Sequence, residues 1–156
     1  MSANPAAAVP APSDREIVTR RVVDAPRERV FRAWTEPEIL ARWWGPKGFT
    51  NEFAEFEPRT GGAWRFVMRG PDGRGYPNES VFVEVAPERI VFRHVSLPKY
   101  QMTADFADES GKTRITWRML FATVAERDNV NRFAPEANEQ NLDRLEAELA
   151  EMASRP

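Results

Sequence analysis

Two hydrophobic periods divide this chain. Near the start, Glu16-Ile17-Val18-Thr19-Arg20-Arg21-Val22-Val23 is rich in β-branched residues and predicts a first strand. Asp24-Ala25-Pro26 stops it and offers an N-cap followed by a proline suited to a first helical turn. Val30, Phe31 and Trp34 then recur at helical spacing, with Arg27, Glu28, Arg29 and Arg32 largely opposite. Thr35-Glu36-Pro37 opens a second short helix through Ile39, Leu40, Trp43 and Trp44, which Gly45-Pro46 ends.

From Phe49 to Phe121 the period changes to two. Trp64, Phe66 and Met68 alternate with Arg65, Val67 and Arg69, and Ile90, Phe92 and His94 alternate with Val91, Arg93 and Val95. Met102, Ala104 and Phe106 form a third such set, and Ile115, Trp117, Met119 and Phe121 a fourth. Gly61-Gly62, Pro71-Asp72-Gly73, Pro87-Glu88, Leu97-Pro98 and Ser110-Gly111-Lys112 carry turn chemistry between the runs. Such short connections predict consecutive antiparallel hairpins, six strands here and seven with the first. Parity from Val81 to Val85 is ambiguous: Glu84 is a solvated strand residue on one reading and an inward carboxylate needing Arg65 or Arg93 on the other.

Thr123 to Phe133 has room for a turn or short helix. After Pro135 a long helix is predicted to about Met152, with Leu142, Leu145, Leu149 and Met152 as its apolar stripe. Glu146, Glu148 and Glu151 fall mostly on other faces, and extending the stripe backwards lands on Asn138 and Asn141. The last helix therefore packs with its second half and presents amides with its first. The order β-α-α-β₆-α predicts an α+β fold: a curved, seven-stranded antiparallel sheet around a long C-terminal helix, with two short helices between strands one and two. Residues 16–154 read as one domain and residues 1–15 as a disordered Ala/Pro-rich arm.

Composition narrows the function. Lys and Arg number 22 against 24 acidic residues, a formal charge of -2, which argues against nucleic acid as a partner. The chain has no cysteine, so disulfides, thiolate nucleophiles and Cys-ligated metals are excluded. No apolar run suggests a membrane partner or a secretory signal, and a cytoplasmic location is expected. No Gly-x-Ser-x-Gly, phosphate-loop or His-Glu-x-x-His motif occurs, and no catalytic residue, metal site or cofactor is expected. The Gly70-to-Gly75 cluster lies between two predicted strands, which marks a hairpin loop. His94, the single histidine, shares an inward face with Ile90 and Phe92, as a hydrogen-bonded core residue, or else as a polar contact inside a cavity or a general base.

The inward aromatics admit two readings, a solid core or an apolar pocket with a few polar groups. The amides of Asn138 and Asn141 over the sheet favour a pocket, as do the adaptable walls that Met68, Met102 and Met119 offer. Trp43 and Trp44 lie at the end of the sheet, one plugging the core and the other closing a pocket mouth, with Gly45 as a hinge.

Several motifs also carry a family resemblance. Ala25-Pro26-x-x-x-Val30-Phe31-x-Ala33-Trp34-Thr35-x-Pro37, Trp43-Trp44-Gly45-Pro46, Gly61-Gly62-x-Trp64-Arg65-Phe66-x-Met68 and Glu84-Val85-x-Pro87-Glu88-Arg89-Ile90 follow in one order. Together, over about residues 16 to 152, they resemble the AHSA1-like branch (activator of Hsp90 ATPase homologue) of the START/Bet v 1 helix-grip superfamily, which includes polyketide cyclases and lipid-transfer proteins. The resemblance implies a ligand cavity between sheet and long helix. Its expected lining is Trp43, Trp44, Trp64, Phe66 and Met68, with Phe92, His94, Met102, Trp117 and Met119, roofed by Asn138, Asn141 and Leu142. The inward aromatics, the polar start of the last helix and the missing catalytic motifs point to a small hydrophobic or aromatic molecule as partner, bound without catalysis, and a monomer or homodimer is expected. An Hsp90-type chaperone partner, or cyclase- or hydrolase-type chemistry in the same cavity, are the alternatives the resemblance brings.

Overall fold

A computed structural model describes residues 13–155. The chain runs β1 (Glu16–Val23), α1 (Arg27–Thr35), α2 (Pro37–Trp43), β2 (Thr50–Phe56), β3 (Ala63–Arg69), β4 (Gly75–Ala86) and β5 (Arg89–His94). It continues through β6 (Tyr100–Glu109), β7 (Lys112–Leu120), α3 (Val124–Asn131) and α4 (Ala134–Ser154). The seven strands form one antiparallel sheet in the order β1-β7-β6-β5-β4-β3-β2. Strands β2 to β7 follow as hairpins, and β1 closes on β7, with Glu16 opposite Leu120 and Val23 opposite Thr113. Helices α1 and α2 carry the chain from one sheet edge to the other. This is the α+β helix-grip architecture.

Alternation holds along most strands, and where it fails a bulge is the cause. Phe53 pairs with Phe66 but Phe56 pairs with Trp64, so a bulge in β2 brings two phenylalanines three residues apart onto the inner face. A second bulge lies between Phe82 and Glu84 in β4. It leaves Val83 and Glu84 exposed and returns Val85 to the core opposite Ile90. Glu84 is therefore a solvated strand residue. At the β2–β3 bend, a side chain at Gly62 would meet the Glu57 carbonyl at 1.9 Å, which restricts this position to glycine.

The long helix behaves differently in its two halves. Leu142, Leu145, Leu149 and Met152 are buried in the same core as Val30, Trp34 and Phe106. Glu148 corrects the sequence reading of its face: it is buried, and its carboxylate receives Arg42 Nη2 at 2.8 Å and Arg155 Nη2 at 3.1 Å. Burial alone would raise its pKa, but the hydrogen bonds and charge of Arg42, then of Arg155, outweigh burial and lower it. Across the helix, Arg21 of β1 meets Glu139 at 2.5 Å, Asp143 at 2.7 Å and Glu146 at 2.8 Å. Those acids recur at helical spacing, so one guanidinium ties two turns of α4 to the sheet edge.

The arm expected over residues 1–15 lies outside the described residues except for Ser13, Asp14 and Arg15. There Arg15 donates from Nη1 to the Phe121 carbonyl at 3.0 Å. Among the described residues, no helix is long and apolar enough to cross a membrane.

Candidate functional site

The Trp-Trp-Gly-Pro segment forms one end of the site. Trp43 ends α2 inside the core, where its indole N–H donates to the Ala33 carbonyl at 3.0 Å. The chain then turns extended at Trp44, whose ring stacks on Trp117 with centroids 5.5 Å apart and planes 6° apart. Trp44 also meets Trp64 edge-on at 5.1 Å. Gly45 adopts a left-handed conformation, φ 98°, which frees the next carbonyls to face α4. Arg144 of α4 collects them: its guanidinium donates to the carbonyls of Arg42, Trp44, Gly45 and Pro46 at 2.9–3.1 Å. Burial lowers the Arg144 pKa. Trp44 is thus a fixed wall, and the hinge suggested at Gly45 is a pinned turn.

Beyond this wall the first half of α4 stands over the sheet and leaves a cavity of about 530 Å³ that opens to solvent at its mouth. That volume is in the range of small-molecule sites, roughly 300–1,000 Å³. The cause is the identity of the helix residues: where the second half presents leucines, the first presents Ala134, Ala137, Asn138 and Asn141. The sheet supplies a floor of Trp64, Phe66, Met68, Phe92, Met102 and Trp117. At the mouth, Leu97, Phe133 and Tyr76 are 82%, 58% and 41% exposed.

Polar groups punctuate this apolar lining. Strand register sets Trp64 of β3 opposite Ser80 of β4, Ser80 opposite His94 of β5, and His94 opposite Tyr100 of β6. His94 lies flat against Tyr100, with centroids 4.8 Å apart and planes 13° apart. Its Nδ1 donates to the Pro98 carbonyl at 2.7 Å, because a carbonyl can only accept. Nε2 faces the Asn78 amide at 2.7 Å and the Ser96 hydroxyl at 3.4 Å. Burial lowers the His94 pKa against the opposing effect of its backbone hydrogen bonds, and burial raises that of Tyr100 above the ordinary phenol value. The neutral His94 ring requires the Asn78 amide to turn its N–H toward Nε2, and a charged ring requires the amide oxygen there. No carboxylate orients the imidazole among the described residues. Nor, among them, do three or more His, Asp and Glu side chains gather as a metal site would need.

A family profile described as activator of Hsp90 ATPase homolog 1-like protein matches residues 24–150. The chain belongs to this AHSA1 family. Solved structures agree on the fold. A protein from Nitrosomonas europaea is 23% identical with a TM-score of 0.84, over 92% of this chain and 99% of its own. One from Rhodobacter sphaeroides is 26% identical with a TM-score of 0.81, over 90% and 96%. An AHSA1 protein from Silicibacter pomeroyi is 19% identical with a TM-score of 0.72, over 86% and 97%. Among curated proteins, none matches the sequence.

Within this AHSA1 domain, the cavity gathers most of the residues singled out from the sequence. Trp44, Trp64, Phe66, Met68 and Phe92 line it, as do His94, Met102, Trp117 and Met119, and Asn138 and Asn141 reach it from the helix. Trp43 and Leu142 do not. Trp43 is turned into the core beneath Trp34, with ring centroids 5.2 Å apart, and Leu142 is fully buried in the closed half. Sequence reasoning missed Ser80, Asn78 and Tyr100. Counting backwards by twos from Phe82 finds Ser80 and Asn78, because the bulge lies on the other side of Phe82.

Proposed function

We propose that this protein binds a small hydrophobic or aromatic molecule in the cavity between its sheet and the first half of α4, without converting it. One observation carries the reading: the helix roof stops being leucine where the sheet below is still aromatic, and about 530 Å³ of space is left between them. The exposed apolar mouth at Leu97 and Phe133 supports it, since it offers a route of entry. His94 is poorly placed for base catalysis: its Nδ1 donates to the Pro98 carbonyl where a catalytic histidine meets an orienting carboxylate, and its Nε2 is taken up by the Asn78 amide.

A thermal-shift screen against fatty acids, flavonoids and other flat aromatics tests the reading, with tryptophan fluorescence as a second readout. Trp44, Trp64 and Trp117 all line the cavity, so an occupant changes their emission. A ligand at a hundred times its Kd adds about 2.7 kcal/mol to stability, which raises the melting midpoint visibly. A screen in which no compound moves either readout would overturn the proposal.

A further inference from the structure

The unpaired polar atoms of the cavity say which guests it prefers, on the premise that it binds a guest at all. Ser80 stands at 0% exposure in β4, and its hydroxyl has no hydrogen-bond partner in the protein. The indole N–H groups of Trp64 and Trp117 are likewise buried without a partner, as is Oδ1 of Asn141. Buried polar groups in this state are rare and costly, and an indole N–H can only donate. All four residues line the cavity, with Trp64 directly across the strand pair from Ser80. A position that merely filled space would be served by alanine, which β6 carries inward at Ala104. A serine there places a donor among rings.

We propose that Ser80 is the specificity-determining anchor of the cavity: its hydroxyl donates to an oxygen acceptor on a flat ring compound, and so selects such guests over their hydrocarbon counterparts. The walls agree with a flat shape. Trp44 lies stacked on Trp117, and His94 on Tyr100, so the cavity is bounded by ring faces and edges that a planar guest contacts well. Asn141 on the roof offers its amide to a second polar substituent. A plain acyl chain leaves every one of these groups as unpaired as before.

The test uses 9-fluorenone and fluorene, which share three fused rings and differ by one carbonyl oxygen, with dodecanoate as the acyl comparison. Affinities are read by tryptophan quenching for the full chain and for Ser80→Ala. The ratio of fluorenone to fluorene affinity should fall about tenfold in the variant, the worth of one hydrogen bond. Fluorene affinity itself should stay unchanged. Because alanine removes a buried hydroxyl that lacks a partner, the variant should melt no lower than the parent, which separates lost selectivity from lost fold. An unchanged ratio would overturn the role of Ser80 and leave cavity binding standing. Binding of dodecanoate with neither ring compound bound would do the same. If none of the three binds, the role of Ser80 falls, and the wider screen alone decides whether the cavity takes a guest.

Discussion

Asn141→Leu puts the reality of the open space to a direct test. In a closed core, adding bulk strains rotamers and costs about 1–3 kcal/mol. At this position the expected sign is opposite. Asn141 is buried with its amide oxygen unpaired, and relief of that group is worth about 1–2 kcal/mol. Full burial of a leucine contributes about 1.5–3 kcal/mol, of which roughly half is realised beside a cavity open to water. Leucine is also the better helix former by about half a kcal/mol, offset by the rotamer freedom it loses. The net expectation is about 2 kcal/mol of added stability. For a chain of this length that raises the melting midpoint by about 4–8 °C. The same side chain intrudes on the cavity, so affinity for any guest found in the screen should drop. Leu145→Ala, one helical turn on in the closed half, should instead cost about 2–5 kcal/mol. Thermal melts followed by near-ultraviolet circular dichroism report both variants. A lower midpoint for Asn141→Leu would show that the helix already meets the sheet there, and the reasoning would fail.

The other perturbations concern the contacts that frame the cavity. Arg144→Met removes four hydrogen bonds to the Trp-Trp-Gly-Pro carbonyls and should cost about 2–4 kcal/mol, with Arg144→Lys recovering a part. Chemical denaturation measures both, and an Arg144→Met variant within half a kcal/mol of the parent, about one experimental error, would refute the clamp. His94 has a folded pKa below its ordinary 6.5, so the unfolded chain takes up the proton first and stability falls as pH drops through that value. His94→Gln should flatten that part of the profile, and melts from pH 8 to about 5 would expose a dependence that persists. Glu148 has a folded pKa below its ordinary value, so its contribution is present above 4.5 and is lost as pH falls through the folded pKa. Glu148→Gln should therefore melt lower than the parent at neutral pH, by about 1–2 kcal/mol, and converge with it in strong acid. A constant gap down to about pH 2 would contradict the ion-pair account.

The strands and the two-part last helix were legible because burial imposes a period, and the period is written in residue type. Trp64, Phe66, Phe92, Met102, Trp117 and Met119 reach the cavity by alternation alone. Asn138 and Asn141 stood out because amides interrupted a leucine stripe. Less was legible where backbone geometry changes the direction of a side chain. Trp43 and Trp44 are neighbours of the same type, and only the extended turn at Trp44 sends one ring to the core and the other to the cavity. The bulge after Phe82 broke the count that would have separated Glu84 from the inner face. Glu148 looked like a solvated acid, because its partner Arg42 comes from a helix more than a hundred residues earlier. Leu142 follows Asn141 by one position, and a helix turns neighbouring side chains about 100° apart.

Why the space stays open follows from how α4 is held. A helix over an aromatic floor gains by sinking onto it, since each buried apolar surface is favourable and each gap forfeits dispersion contacts. Here the helix is restrained on both flanks by polar contacts of fixed length. On one side Arg21 of β1 holds Glu139, Asp143 and Glu146. On the other Arg144 holds the carbonyls of the Trp44–Pro46 turn, and the Lys47 amide donates to Gln140 at 3.2 Å. Residues 139 to 146 are thereby fixed at the height these bonds allow. Downstream, Leu145, Leu149 and Met152 are long enough to bridge that height and close the core. Upstream, Ala134 and Ala137 are too short to bridge it, Asn138 reaches only the β1 side, where its amide donates to Thr19 Oγ1 at 3.4 Å, and the cavity is the remainder. The same backbone placement thus yields a packed half and a hollow half, and the difference lies in which side chains the helix presents, leucines in one and alanines and amides in the other.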